Sequence, residues 1–516
     1  MYVHIYRKLY IKSRRCTPIL SHTHTLSLPS SLLFSSPLFF VEGIGFIFHC
    51  SLGLITMASM FRSLSVVMVF TALLSAELSV QLTHPSDVQA LMDVKAALDP
   101  STIQPGSCVI TWDFSLDPCD HLFSDEAFSC GINCEKEGEA AEKEGLLRIT
   151  SVKLDSFGYG GSLSPSIGNL TFLQYLQVSG NNLSGPIPEA VSHLAQLSFL
   201  DLSHNAFSGS IPGPIFGSLT SLRSLNLAGN CLSGRWPPAT DNTNNLSGLT
   251  ELRLYSNSLS GSIPSDLRSF KELQILDLST NAFYGDIPLH FPPMAISISL
   301  KNNRLSGEFS QAHVKGLSPL LNVLDLSGNN LSGPVDISLF KHPSLQQLNL
   351  SYNAFTDIAD GSEDSTRSGK SGNSSVNTTT GADDGNANKS EMVAIDLSYN
   401  HISGRLPTIF ASMERLASLS LSHNAFSGRI EPVYALKALA GIVGLEPLRR
   451  LMLDGNYLSG PLPPLFMRLL PNNIVASFVD NCLLNCPSRF FFCQGGTQKP
   501  DNICRIFDTK EEEEGV

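Results

Sequence analysis

Asp201-Leu202-Ser203-His204-Asn205 holds, within one short run, the three side-chain types of a hydrolytic relay: an acid, a hydroxyl and an imidazole. A relay needs nucleophile, base and orienting acid within hydrogen-bond reach of one another. Neighbouring side chains of an extended segment point to opposite faces, so this run cannot assemble one. Its echo in Ser422-His423-Asn424 marks it as a recurring filler. Cys482, Cys486, Cys493 and Cys504 are of a type that binds zinc, and Cys108, Cys119, Cys130 and Cys134 form a second group of four. Even-numbered cysteine groups at both ends of a chain fit disulfides in an oxidising compartment better, and four cysteines allow three pairings. Lone Cys231 is expected to be a small buried core residue. No metal or phosphate motif is found, so no catalysis, no metal and no cofactor are expected. What remains is recognition chemistry. Tyr352, Tyr399 and His423 recur at one place in successive segments, Tyr175 and Phe199 form another neighbourhood, and Arg253 with Tyr255 a third. Aromatic rings and arginine dominate interface hot spots, although scattered exposed aromatics are ordinary.

The segments that carry these residues repeat. Leu321-Asn322-Val323-Leu324-Asp325-Leu326-Ser327-Gly328-Asn329-Asn330-Leu331-Ser332-Gly333-Pro334 shows the pattern, L-x-x-L-x-L-x-x-N-x-L-S-G-x, which returns at a period of about 24 residues. A unit this short cannot bury its leucines alone; neighbours must stack, and stacking winds a solenoid. The L-x-L segment reads as a short strand with leucines inward and the intervening residues outward. The following Asn is expected to satisfy backbone N–H and C=O groups that a bend outside the sheet would orphan. Ser-Gly-x-Ile-Pro suits a second extended segment on another face. Twelve repeats start at Ile149, Leu173, Leu197, Leu222, Leu249, Leu273, Ala295, Leu321, Leu345, Met392, Leu416 and Leu448. The consensus Asn falls at Asn181, Asn205, Asn230, Asn257, Asn281, Asn303, Asn329, Asn353, Asn400, Asn424 and Asn456. Strands about 4.8 Å apart would give a concave sheet on the order of 55 Å along its arc.

This is the pattern of a leucine-rich repeat array, and the Leu-Ser-Gly-x-Ile-Pro signature (Leu183 to Pro188, Leu259 to Pro264) resembles the plant-specific class. The helical stretch Asp87–Leu98, with Val88, Leu91, Val94 and Leu98 on one face and Ser86 as its N-cap, is followed by Trp112-Asp113 and Asp117-Pro118-Cys119. Together they resemble the N-terminal cap of plant extracellular leucine-rich repeat proteins, whose practice would pair Cys119 with a cysteine about a dozen residues on. The resemblance implies an α/β solenoid, a curved leucine-rich repeat right-handed superhelix with disulfide-stapled N- and C-terminal caps. The expected organisation is a leader over 1–56, a signal peptide over 57–80, an N-terminal cap over 81–148, repeats over 149–472, a C-terminal Cys cap over 473–507 and an acidic tail over 508–516. The ninth repeat carries an insertion over 357–391, rich in Ser, Gly, Asn, Thr and Asp and without an aromatic residue, read as a disordered, glycosylated loop; the resemblance offers an island domain, as in steroid- and peptide-sensing plant receptors, as the alternative. The eleventh carries a shorter one, Glu431 to Pro447, read as a short helix.

Composition narrows the function. A net charge of −12 argues against a nucleic-acid surface, and 42% hydrophobic with 16% charged residues fits a long shared core. Met57-Ala58-Ser59-Met60-Phe61-Arg62, the apolar run Leu64 to Leu74 and small Ser75-Ala76 have the form of a secretion signal. The expected location is extracellular, in the cell wall space, with anchoring through the N-terminal hydrophobic segment as the alternative. Sequons at Asn373, Asn377 and Asn388 in the insertion, and at Asn169 and Asn245, are the expected glycan acceptors; a sugar on Asn349 would obstruct the concave face. The resemblance to kinase-less receptor-like proteins implies recognition of a protein or peptide ligand, with signalling through a membrane receptor kinase. An inhibitor of a microbial cell-wall enzyme, similar to polygalacturonase inhibitors, and a structural wall protein are the alternatives.

Overall fold

Each L-x-L segment forms a three-residue strand because alternation along it puts one leucine inward and its neighbours on the surface. Leu324, for example, is fully buried between half-buried Val323 and Asp325. The computed structural model describes residues 82–120, 130–136, 146–236, 246–359, 390–439 and 444–505. The expected leader, signal peptide and acidic tail, residues 360–389 of the expected insertion, and Asn245, Asn373, Asn377 and Asn388 lie outside the described residues, while 357–359, expected in the insertion, belong to strand Ala354–Ala359. Among the described residues, no helix is long and apolar enough to cross a membrane.

The short strands line up in one fourteen-stranded sheet. It starts with Ile132–Lys136 antiparallel to Leu147–Lys153, and every later pairing is parallel, from Tyr175–Gln177 to Val475–Ser477. Register is strict: Leu176 faces Leu200, and Leu324 faces Leu348. One apolar core therefore runs from Leu91 in the cap to Phe492 at the far end. The Leu-Ser-Gly segments form the second face expected from them, as an eight-stranded sheet from Ser184–Pro186 to Ala354–Ala359 and a four-stranded sheet from Ser403–Arg405 to Cys482–Leu484. That second face breaks at the overlong ninth repeat. The main sheet does not: Gln347–Asn349 pairs directly with Ala394–Asp396 across it.

The consensus Asn stitches one coil to the coil before it. Asn400 Oδ1 accepts from Phe355 N–H at 3.0 Å, while its Nδ2 donates to the carbonyls of Leu350 and Leu397, both at 3.0 Å, and of Ser398 at 3.3 Å. Asn205, Asn281 and Asn456 repeat the arrangement. So does Asn481, which lies inside the segment expected to be the C-terminal cap: the coil Val475–Ser477 to Asn481 is a thirteenth. It hides from the L-x-L pattern because Ala476 and Phe478 stand where leucines usually do.

The caps differ from expectation in detail. The first helix is Pro85–Ala97, capped by His84 in place of Ser86, with proline in the first turn where its missing N–H costs nothing. Its buried face includes Asp87, while Val88 is only half-buried. Asp87 accepts from Arg148 Nε at 3.0 Å and a terminal Arg148 nitrogen at 2.9 Å, and from Ile149 N–H at 3.0 Å, which ties the helix to the first repeat. Buried Trp112 donates its indole N–H to the Cys130 carbonyl at 3.0 Å. Disulfides join Cys108 to Cys130 and Cys119 to Cys134 in the N-terminal cap, and Cys482 to Cys504 and Cys486 to Cys493 at the other end. Cys119 thus joins a cysteine 15 positions on, past Cys130, which Cys108 takes. Cys231, expected to be a lone core residue, is half-buried at the start of strand Cys231–Arg235 and is disulfide-bonded.

In the eleventh repeat, Pro432–Ala438 is a helix. It buries Lys437, whose Nζ donates to the Met413 carbonyl at 2.6 Å and the Glu446 carbonyl at 3.0 Å. Burial holds its pKa below the ordinary lysine value.

Candidate recognition surface

The residue before each consensus Asn occupies the turn that leaves the main sheet. Closing that turn requires a left-handed backbone, whatever side chain is present. Glycine supplies it at Gly180, Gly229, Gly328 and Gly455, the residue type that adopts it without steric cost. His204, Ser256, Thr280, Asn302, Tyr352, Tyr399, His423 and Asp480 take it with φ of 53 to 56° despite carrying Cβ atoms. The fold thus aligns one position per coil in a row along the edge of the main sheet, filled by a side chain wherever it is not glycine.

Three rings follow one another in that row. Tyr352 and Tyr399 stack with centroids 4.2 Å apart and planes 9° from parallel; Tyr399 and His423 stack at 4.3 Å and 23°. They remain 57% and 42% exposed at the two tyrosines. The stack spans the ninth, tenth and eleventh repeats, where the main sheet is continuous and the second face is broken. Asp454 lies 3.6 Å from His423 Nε2 and accepts from the Ser422 hydroxyl at 2.7 Å. Partial burial, the Tyr399 hydroxyl and the charges of Tyr399 and Asp396 raise the Tyr352 phenol above its ordinary pKa, so it stays neutral in physiological conditions.

The other expected site residues form separate groups. Tyr175 and Phe199 begin adjacent strands, in register with each other, and stack at 4.3 Å with planes 2° apart. The Tyr175 hydroxyl donates to Gln177 Oε1 at 2.8 Å. Arg253 ends its strand in an ion pair with Glu251 of the same strand, which engages its guanidinium. Tyr255 lies beside His204, with its hydroxyl 3.4 Å from Nε2. Three strands of the main sheet separate the Arg253 strand from that preceding Tyr352, so the structure does not bring these groups into one site. Asn349, at the end of its strand, accepts from Ser351 N–H at 3.1 Å and from the Ser351 hydroxyl at 2.7 Å. Asn169 is exposed.

The relay residues are not assembled. Ser203 is buried, its N–H donates to Asp201 Oδ1 at 2.9 Å, and His204 turns outward. Sequence reading took His204, which lies beside Tyr255, as filler, and missed Asp396 and Asp454 beside the stack and the glycines that flank it. A signal was available for the glycines: Ser-Gly-Asn and Asp-Gly-Asn stand where neighbouring repeats have Ser-Tyr-Asn and Ser-His-Asn.

The Leucine Rich Repeat family model matches residues 172–194, 196–218, 221–242, 248–270, 320–341, 392–413 and 447–469, and a second Leucine Rich repeat model matches 341–358. Receptor-like protein 41 of Arabidopsis thaliana is 30% identical over 169 residues, 32% of this chain and 16% of that protein. Receptor-like kinase TMK2 of the same plant is 29% identical over 193 residues, 36% of this chain and 21% of the kinase. The matched stretch therefore spans about a fifth or less of these relatives. Among solved structures, plant peptide hormone receptor RGFR1 in complex with RGF2 superposes with a TM-score of 0.54 at 27% identity, over 69% of this chain and 52% of that one. A TDR receptor gives 0.52 at 26% identity, over 66% and 53%.

Proposed function

Because this chain is a leucine-rich repeat protein similar to the ectodomains of plant receptor-like proteins, we propose that it recognises a peptide or protein ligand at the cell surface. The observation that carries this reading is the exposed Tyr352–Tyr399–His423 stack on consecutive coils. Side chains held in place by backbone and by each other lose little conformational freedom on binding, which is what makes a preformed surface effective. The relative TMK2 is a receptor-like kinase, and this reading places signalling in a partner kinase in the membrane. Secretion after removal of residues 57–80 completes it, supported by the apolar run Leu64 to Leu74 and by disulfides in both caps.

The test uses the full chain recovered from plant extracellular wash, beside a variant carrying Tyr352→Ala, Tyr399→Ala and His423→Ala. Both are exposed to the peptide fraction of the same wash, and bound peptides are quantified by mass spectrometry. The wild type is expected to retain at least one peptide about tenfold more strongly than the variant, the loss typical of removing a hot-spot cluster. Equal retention would remove the stack from recognition.

A further inference from the structure

The ring stack has two ends, and they differ. At one end the His423 ring lies over Gly455, so that a Cβ on that glycine would meet His423 Nδ1 at 2.5 Å, and Asp454 stands beside the imidazole. At the other end Tyr352 has Tyr399 against one face only. The coil before it contributes Gly328, which has no side chain to offer, and the Asn302 amide lies against Gly328. Among the described residues no ring and no cation lies over that second face.

We propose that the open face of Tyr352 seats a guanidinium group, and that the ligand of this surface is an arginine-bearing, basic peptide segment. This deepens the recognition reading above and rests on it. The face of a phenol ring carries the negative lobe of its quadrupole and attracts cations. A planar guanidinium extends a stack of planar rings, and it sheds water more readily than an ammonium. The nearby charges agree. The strands on either side of the one preceding Tyr352 end in Asp325 and Asp396, and Asp454 closes the far end of the row. Lys301 is paired with Asp325 at 3.8 Å, and Arg450 begins its strand, at the edge opposite the turn row. The whole chain carries −12.

The test titrates the full chain with the blocked tripeptide of three arginines, and with its citrulline and lysine counterparts, by calorimetry at one ionic strength. The arginine probe is expected to bind about tenfold tighter than the citrulline probe and measurably tighter than the lysine probe. Tyr352→Asn keeps a residue type that tolerates the left-handed turn, and it should bring the arginine probe down to the lysine level or below. Tyr284→Leu, at an exposed position of strand Ala282–Asp286 on the second face, should leave it unchanged. Arginine binding that ignores Tyr352→Asn would be general attraction to an acidic protein and would overturn the proposal, as would equal binding of arginine and citrulline. If the triple-alanine chain loses its wash peptide while the arginine and citrulline probes bind alike, the recognition reading stands and the guanidinium seat falls. If the probes separate as expected while that chain keeps its peptide, the seat stands and the wider reading falls.

Discussion

Adjacent residues of one turn meet opposite demands. Asn400 is buried and makes four hydrogen bonds, three to carbonyls and one from an amide of the coil before. Tyr399, one position earlier, is 42% exposed, and the backbone asks of it only a left-handed φ, which it meets at 55°. Along the molecule the Asn position stays Asn from Asn181 to Asn481, while the preceding position runs through Gly, His, Ser, Thr, Asn, Tyr and Asp. The contrast teaches where a solenoid is free to specialise. Interior groups that close the coil have one chemical solution, whereas the neighbouring outward position can hold any side chain able to bear a modest backbone strain.

The comparison can be broken most directly at its interior member. Asn400→Ala would orphan the Phe355 N–H and the Leu350 carbonyl in a place water cannot reach, at a cost on the order of 4 kcal/mol. Urea unfolding should show it as a large drop in midpoint; a loss under about 1 kcal/mol would mean that the coil closes without the amide.

The outward member should respond more weakly, and in a way that depends on the replacement. Tyr399→Ala removes two ring contacts, worth about 1 kcal/mol each, and leaves a Cβ in the left-handed turn. Tyr399→Gly removes the same contacts but also the strain, and should be more stable than the alanine variant by about 1 kcal/mol. If the two variants unfold at the same urea concentration, the row is not strained as its φ values imply.

The smallest effect sharpens the comparison at a buried side chain that feeds carbonyls as Asn does but, unlike Asn, titrates. In the overlong eleventh repeat Lys437 feeds the Met413 and Glu446 carbonyls, as Asn side chains feed carbonyls elsewhere. Burial lowers its pKa in the folded chain, so between that value and the ordinary 10.5 the unfolded chain binds more protons. Stability should therefore rise with pH across this window as the ammonium is discharged. As pH rises towards 10.5 the wild type is expected to gain on Lys437→Met in thermal unfolding. Parallel curves would mean that the site stays charged throughout.

Much of this was legible in the residues, for a physical reason. A strand's alternation and a turn's need for Asn are local, so Leu324 and Asn329 declare their burial and bonding from the pattern alone. Tyr352, Tyr399 and His423 share a column because a repeat turns spacing along the chain into position along the solenoid. Groupings that cross repeats unevenly were not legible. Arg253 looked available, yet Glu251 two residues earlier engages it. The thirteenth coil escaped because Ala476 and Phe478 fill core positions that the pattern assigns to leucine.

By itself, then, the sequence determined the coil: which residues face inward, which amide closes the bend, and which positions line the outer row. Tertiary structure decided who meets whom. Cys119 reaches Cys134, Asp87 reaches Arg148 across 61 positions, and three rings lean onto one another because neighbouring coils lie one strand spacing apart. A local pattern sets the direction of a side chain, but the partner it meets depends on the register between coils, which exists only once they have stacked.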